Sequence, residues 1–353
     1  MNTRSSRLAA LLLLAAGLVA ALTVSSGGSS PSPAAHPAAV SHDLHPLDIA
    51  QSGHYLYVAS AQSAGIKISE YDSSSGAYLR TLPLTILSSF PSVPMLATPS
   101  KFFVTSDLGK LLEFDNASGA LSHSFDPPKA FTANSDSYAG HLFTDGSILY
   151  ATASNFDEVA EISLASNTLL RTLSSSPCLP ISVCSAANGT IYAAQLLPRL
   201  SATSALTGQA RWATQWTPPS QPANALFTIT DVTPVNGALF LTAVDGSGPR
   251  VRAALVNPAT GAISHNIGYS AKGSFAPAAT AYVNGQIFIY NQGASTVTQI
   301  DPSSMTVVRT ISVPANSKPT RLSLAGTDAL FVANASSVTE YSTSTGALLA
   351  TFK

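Results

Sequence analysis

Short apolar runs, rich in β-branched and aromatic residues, recur along the chain and are bordered by turn residues. Each run is four or five residues long, which is typical of a strand and too short for a helix. The runs begin at residues 55, 102, 148, 191, 239, 287 and 330, in steps of 43 to 48 residues. A repeat of about 40 to 50 residues with strand content is typical of propeller blades. The spacing therefore predicts an all-β, seven-bladed β-propeller between residues 44 and 353. The seven runs are Tyr55–Ala59, Phe102–Thr105, Ile148–Ala151, Ile191–Ala194, Leu239–Thr242, Ile287–Tyr290 and Leu330–Ala333.

The last repeat shows how one blade is built. Strand patterns cover Thr320–Leu324, Leu330–Ala333, Ser337–Tyr341 and Ala347–Phe352. In most repeats, turn dipeptides such as Asn-Gly and Thr-Gly follow the first and third strands, and they supply the positive φ angles of tight hairpins. We therefore predict four antiparallel strands per blade. Each of the seven repeats runs from its own first strand to its own fourth strand. We therefore also expect the ring to close by blade packing, without a strand shared between the termini.

The first 43 residues differ from the repeats. Arg4 and Arg7 precede the uncharged run Leu8–Val24, and small residues follow, which is the plan of a secretory signal. The run has 17 residues, so an uncleaved anchor is the alternative. We assign residues 1–26 to a signal peptide or N-terminal anchor, 27–43 to a flexible Ser/Pro/Ala linker and 44–353 to one propeller. The expected location is secreted, periplasmic or cell-surface, with membrane contact only through an uncleaved anchor.

Composition narrows the class of partner. Hydrophobic residues make up 45% of the chain, which is enough for a packed core, while charged residues make up only 10%. The formal net charge is −1, and without the two arginines of the leader 15 basic residues face 18 acidic ones. No basic patch stands out, so we expect no nucleic-acid partner. We expect a monomer.

The two cysteines and three sequons are candidate modification sites. Cys178 and Cys184 are separated by five residues, and in an oxidising compartment they can form a disulfide; two buried thiols are the alternative. Asn116, Asn188 and Asn334 each begin an N-glycosylation sequon on a predicted turn. These sequons matter only if the source is eukaryotic.

The repeats resemble known propeller families. The segments Leu330–Asn334, Val338–Tyr341 and Thr345–Thr351, together with Thr296–Asp301, are similar to the YVTN-type β-propeller repeat. The segment Ala205–Trp212 resembles the tryptophan-docking segment of quinoprotein propellers, which bind pyrroloquinoline quinone. The resemblance implies a quinoprotein-like propeller in which Trp212 packs against the neighbouring blade. Since the other six repeats lack this Trp, it does not imply a complete ring of docked tryptophans.

Strand direction places two kinds of loop on opposite faces of the propeller. The Gly turns lie on one face, which we call the tight-turn face. The blade-to-blade connectors and the loops between second and third strands lie on the other, the long-loop face. Loops held by a rigid scaffold commonly carry function, so the long-loop face is the candidate ligand surface, although its loops are as readily explained as connectors. Its candidate residues are Asp107, Phe131, Asp136, Tyr138, His141, Asn155, Asp157, Trp216, Asp245, Arg250, Tyr269 and Asn291.

Two arrangements on this face have specific chemistry. His141 with Asp136 or Asp145 is a candidate acid–base pair, although His141 is also placed to start an inner strand and hydrogen-bond locally. Asp107, Asp157 and Asp245 recur at one place in three units, which suits either a cation at the channel mouth or turn-forming Asp.

The sequence supports two functional hypotheses. No nucleophile elbow, phosphate loop, metal-ligand cluster or other catalytic set is recognisable, so we predict no catalytic residue and no cofactor. The first hypothesis is an exported, non-catalytic propeller that binds an unknown protein, glycan or small molecule through the long-loop face. The alternative is a propeller enzyme with its site at the channel mouth. Such an enzyme would be a cation-dependent lyase or lactonase, or a dehydrogenase that uses pyrroloquinoline quinone.

Overall fold

The described part of the chain forms twenty-eight strands in seven four-stranded antiparallel sheets, each made of consecutive strands. This arrangement confirms the prediction of an all-β, seven-bladed β-propeller. The computed structural model describes residues 44–86, 93–106, 109–126, 141–152, 158–173, 183–194, 199–216, 227–245, 250–270, 277–291, 294–314, 322–324, 329–334 and 336–352. The predicted signal and linker segments lie outside these ranges and stay predictions.

The strands follow one another in chain order around the ring. Blade 1 contains β1 (Pro46–Ser52), β2 (Tyr55–Gln62), β3 (Gly65–Asp72) and β4 (Tyr78–Ile86). Blade 2 contains β5 (Met95–Ala97), β6 (Lys101–Thr105), β7 (Leu111–Asp115) and β8 (Leu121–Phe125). Blade 3 contains β9 (Leu142–Thr144), β10 (Ile148–Thr152), β11 (Val159–Ser163) and β12 (Thr168–Leu173). Blade 4 contains β13 (Val183–Ala187), β14 (Thr190–Ala194), β15 (Arg199–Ser204) and β16 (Ala210–Gln215).

The remaining three blades repeat this plan. Blade 5 contains β17 (Phe227–Val235), β18 (Ala238–Asp245), β19 (Arg250–Val256) and β20 (Ile263–Ser270). Blade 6 contains β21 (Pro277–Val283), β22 (Gln286–Asn291), β23 (Thr296–Asp301) and β24 (Thr306–Ser312). Blade 7 contains β25 (Leu322–Leu324), β26 (Ala329–Ala333), β27 (Val338–Ser342) and β28 (Leu348–Phe352).

The ring closes between the first and last blades. The first strand of each blade lies beside the first strand of the next, and β25 lies beside β1. Leu56 and Val58 of blade 1 share a core cluster with Phe331 and Phe352 of blade 7. Each blade takes all four of its strands from its own repeat. Closure therefore rests on side-chain packing between blades and not on a shared strand, as the repeat phase predicts.

The second strand of each blade is buried on both faces because a neighbouring sheet covers each one. Alternate residues of a strand point to opposite faces, so Leu56 packs towards blade 7 while Tyr57 packs towards blade 2. The ring of Tyr57 stacks on that of Phe102 with centroids 4.0 Å apart. Each of the seven core clusters in the described structure joins two adjacent blades.

All seven blades have a β-bulge at the same point of the pair formed by the third and fourth strands. A bulge adds one residue to a strand and so changes the face to which the following residue points. In blade 4 the bulge lies between Ala202 and Thr203, and Ala202 pairs with Trp212. The indole Nε1 of Trp212 donates a hydrogen bond to Pro258 O of blade 5 at 2.8 Å. The predicted role of Trp212 in packing against the next blade is therefore confirmed.

Arginine has the same role as Trp212 in other blades. Arg80, opposite Glu70, donates from Nη2 to Ala117 O of blade 2 at 2.9 Å. Arg171, opposite Glu161, donates from Nη1 to Leu206 O of blade 4. Each of these arginines therefore joins a buried carboxylate of its own blade to a turn of the next.

Candidate ligand-binding face

The tight-turn face uses its polar side chains to hold its own turns. Asp115 Oδ1 accepts hydrogen bonds from the amide and the hydroxyl of Ser118, both at 2.8 Å. These two bonds lower the pKa of Asp115. Asp301 makes the same pair of bonds with Ser303, at 2.8 and 2.7 Å, and the hydroxyl and then the amide of Ser303 lower its pKa. Carboxylates engaged in this way offer little to an external ligand.

Two of the three sequon asparagines are also structural. Asn116 is 2% exposed, and its Nδ2 donates to Thr98 O at 2.8 Å while its Oδ1 accepts from the hydroxyl of Tyr57 at 2.9 Å. Asn334 is 3% exposed and donates to Thr339 Oγ1 at 2.9 Å. A glycan on either nitrogen would displace these bonds, so the structure argues against both sites. Asn188 is exposed and stays a prediction.

Two predicted ligand contacts lie in the core instead of on the surface. Trp216 is fully buried in the interface between blades 4 and 5, and its Nε1 donates to Asn266 Oδ1 at 2.8 Å. Asn291 is 2% exposed, and its Nδ2 donates to Thr298 Oγ1 at 2.8 Å, which joins β22 to β23. Trp216 therefore joins blades 4 and 5, whereas Asn291 joins two strands of blade 6.

His141 lies directly before β9 and is partly buried. Its amide donates to Thr152 Oγ1 at 2.7 Å, and its carbonyl accepts from the Thr152 amide at 3.0 Å. Asp145 follows β9 at the opposite end, about 13 Å away along an extended strand, where it accepts from the Tyr150 hydroxyl at 3.1 Å. The geometry therefore excludes the pair of His141 and Asp145, whereas Asp136 lies outside the described residues.

The remaining predicted contacts fall into three groups. Arg250 is exposed at the start of β19, on the long-loop face as expected. Asp245 ends β18 and Tyr269 lies near the end of β20, but only their backbones are described. The residues outside the described ranges are Asp107, Phe131, Asp136, Tyr138, Asn155 and Asp157.

Cys184 lies on β13, is 8% exposed and is disulfide-bonded. Cys178, the other cysteine of the chain, lies outside the described residues, so the predicted pair stays a prediction.

Near the start of the third strand, one register position carries a charge in most blades. In blade 1, for example, the bulge follows Glu70, and the position lies three residues earlier, at Lys67. Its occupants, in blade order, are Lys67, Lys110, Glu158, Arg199, Arg252, Thr296 and Ser337. Four of the seven are cationic, so the third strands carry a partial ring of basic residues towards the long-loop face, which sequence reasoning missed. Aligning the repeats would have shown it, because each of these residues lies three positions before the one occupied by Glu70, Glu113 or Glu161 in the first three blades.

In the described ranges, no group of three or more His, Cys, Asp or Glu side chains is arranged to hold a metal ion. Within the same ranges, no helix has both the length and the apolarity needed to cross a membrane.

Comparison with known proteins supports the fold. No protein-family model matches the sequence, and no curated protein matches it. Among solved structures, the chain is similar to BamB from Moraxella catarrhalis, with a TM-score of 0.50 and 14% identity over 83% of each chain. At this identity the likeness shows the fold alone, so the protein belongs to the structural class of seven-bladed β-propellers. Membership of the YVTN or quinoprotein repeat family stays a prediction.

Proposed function

We propose that this protein is an exported, non-catalytic propeller that binds a partner protein through its long-loop face. The difference between the two faces supports this proposal. Tight-turn carboxylates such as Asp115 and Asp301 are engaged by their own turns. On the long-loop face, Arg199 and Arg250 begin their strands with exposed side chains.

Arginine is enriched among the residues that dominate binding energy in protein interfaces. Its planar guanidinium offers five donors and binds carboxylates in a bidentate manner. A rigid ring of blades fixes the backbone at Arg199 and Arg250, so binding has only their side chains to order. The proposed partner therefore has an acidic surface.

Site-specific photo-crosslinking in the native host tests this proposal. A photoreactive amino acid replaces Arg199 or Arg250 on one face, one at a time so that the other arginine remains, and Ala117 or Ala259 on the other face. Ala117 and Ala259 are matched controls because both are exposed and lie in tight turns. We expect a discrete adduct with another protein from the first pair and none from the second. Adducts from the tight-turn pair alone, or from neither pair, would contradict the proposed face.

A reporter fusion tests export separately. Residues 1–43 are fused to a phosphatase that is active only outside the cytoplasm. We expect activity with the native segment and its loss when Leu12 and Leu14 in the apolar run are replaced by Arg, since charge blocks the h-region of a signal. Equal activity from both fusions would contradict export by this segment.

A further inference from the structure

Arg252 is a buried cation in the third strand of blade 5. It is 9% exposed, and its Nε and Nη2 atoms have no hydrogen-bond partner among the described residues. The ion pairs found in that part of the chain involve other residues. A buried unpaired charge is costly, and native proteins rarely keep one without a counter-ion. Arg252 therefore requires a specific explanation.

The guanidinium of Arg252 lies close against the backbone of β20. Arg252 pairs across β19 and β20 with Gly268, which is exposed and has no side chain to cover it. A Cβ added to Gly268 would stand 2.6 Å from Nη1 of Arg252. Any larger residue at this position would therefore occupy the space that the guanidinium fills, so glycine is what lets the guanidinium lie there.

The side of the sheet to which Arg252 points follows from strand alternation. Ala254 and Val256 lie two and four residues further along β19, and both pack in the cluster between blades 4 and 5. Residues spaced by two share one face of a strand, so Arg252 also points towards blade 4. On β20, Asn266 lies two residues from Gly268 and receives the indole N–H of Trp216 from blade 4. The guanidinium therefore lies at the seam between two blades, close to the long-loop face.

A second arginine lies on the same face of β19. Arg250 is two residues from Arg252, about 7 Å along the strand, and its side chain is exposed. The positive charge of Arg250 raises the cost of keeping Arg252 buried. An anion bound to both arginines would lower that cost. The pair thus provides an exposed arginine that attracts the anion and a buried one that holds it.

We propose that Arg252 and Arg250 form an oxyanion-binding site at the seam of blades 4 and 5, where they take a carboxylate or phosphate group. The fork of donors on a guanidinium matches both groups. This inference deepens the proposed function, since it gives the chemistry of one group that the long-loop face recognises. It also places that group over the third strand of a blade, away from the inner strands.

Thermal unfolding with simple anions tests the site without any partner protein. Inorganic phosphate and succinate are titrated separately into the exported protein, with sodium chloride at equal ionic strength as the reference. At ten times its Kd, a bound anion should raise Tm by about 2–4 °C above the chloride reference. A rise with phosphate alone, succinate alone or both supports the site and identifies the chemistry it prefers.

Three variants assign the effect to Arg252. Arg252→Met should abolish the rise while keeping Tm in chloride equal to or above that of the wild type, because it removes a buried charge. Gly268→Ala keeps the charge but crowds Nη1, so it should weaken anion binding at least several-fold. Arg211→Met, at an exposed arginine on the bulge of β16, is the control and should keep the full rise.

The results also separate this inference from the proposed function. No rise above chloride with either anion, or an equal rise in Arg252→Met and the wild type, would overturn the anion site. Should Arg252→Met fail to fold, an unchanged affinity in Gly268→Ala would overturn it instead. Crosslinks on the long-loop face without an anion effect would leave the binding face standing and remove only the anion site. An anion effect without crosslinks would support the anion site and contradict the proposed binding face.

Discussion

Glu340 in blade 7 should make the stability of the ring depend on pH. It lies on β27, is 4% exposed and pairs across the sheet with Ala350 of β28. At the same register position, Glu70 is paired with Arg80 at 3.2 Å and Glu161 with Arg171 at 2.7 Å. Burial raises the pKa of Glu340 from its ordinary value of 4.5 to about 7.

The sign of the effect follows from this shift. Because the pKa in the folded state is above that in the unfolded state, the folded protein holds this proton over a range where the unfolded chain releases it. The free energy of unfolding therefore falls as the pH rises from 4.5 to about 7. The loss is at most about 3 kcal/mol and is complete above the folded pKa. Glu70 and Glu161, whose pKa values are also raised by burial, add to the slope in the same direction.

Two substitutions at this position should reduce the loss by different routes. Glu340→Gln removes the charged form, and blade 6 already holds an amide there in Gln299, so the fold accepts it. Ala350→Arg places an arginine opposite the carboxylate, as in blades 1 and 3. At pH 8 each should raise the free energy of unfolding by about 1–2 kcal/mol, since relief of the burial cost is incomplete.

Urea unfolding at pH 5, 6, 7 and 8 measures the effect. The wild type should lose stability across this series, and Glu340→Gln should lose less. The double variant is the control, because the arginine introduced by Ala350→Arg should add nothing once Glu340→Gln has removed the carboxylate opposite. A wild-type stability that does not change over this range, or the same slope in Glu340→Gln, would refute the reasoning.

Three further predictions concern Trp212, its contact with Gly261, and the two cysteines. Trp212→Ala should lower the free energy of unfolding by about 2–3 kcal/mol, because it removes a half-buried ring and one hydrogen bond, whereas Trp212→Phe should cost about 1 kcal/mol; urea unfolding measures both. An unchanged midpoint for Trp212→Ala would contradict the docking role. Gly261→Ala should destabilise the same contact, since its φ is +73° and the new Cβ would stand 2.6 Å from Cε3 of Trp212. Thiol titration of denatured, exported protein should find no free cysteine, and two free thiols would disprove the predicted disulfide.

The repeat, the strands and the turns could be predicted from the sequence because each has a local cause. A run of apolar residues is explained by a strand with one or two covered faces. A Gly after Asn or Thr is explained by a tight turn. Gly237 and Gly346, for example, have φ angles of +76° and +75°. The number of blades then follows from the number of repeats.

The burial of Trp216 and Asn291 could not be predicted so directly. Trp216 is followed by a threonine and two prolines, so the segment reads as a connector. Its place in the core depends on blade 5, which covers the end of β16. A usable signal was nonetheless present, since Trp212, Thr214 and Trp216 are spaced by two and share the face that points to blade 5.

Asn334 shows how a repeat can carry two interpretations at once. As a sequon it suggested a surface turn, but within the YVTN-like phrase it recurs at the end of the second strand. In the structure, Asn334 donates to Val332 O at 3.3 Å and to Thr339 Oγ1 at 2.9 Å. Asn291 makes the same pair of contacts with Ile289 O and Thr298 Oγ1 in blade 6. The repeat position therefore predicted its role better than the three-residue motif.

The third strand carries its buried carboxylate and a mostly basic position only three residues apart. Glu70, Glu113 and Glu161 are buried, and each is neutralised within its blade by Arg or Lys. Three residues earlier, towards the long-loop face, the charge is mostly positive and is neutralised by a described partner only at Lys110, which meets Asp126 at 2.8 Å. Odd spacing along a strand places the two positions on opposite faces of the sheet. The buried carboxylate therefore faces one neighbouring blade, and the position three residues earlier faces the other.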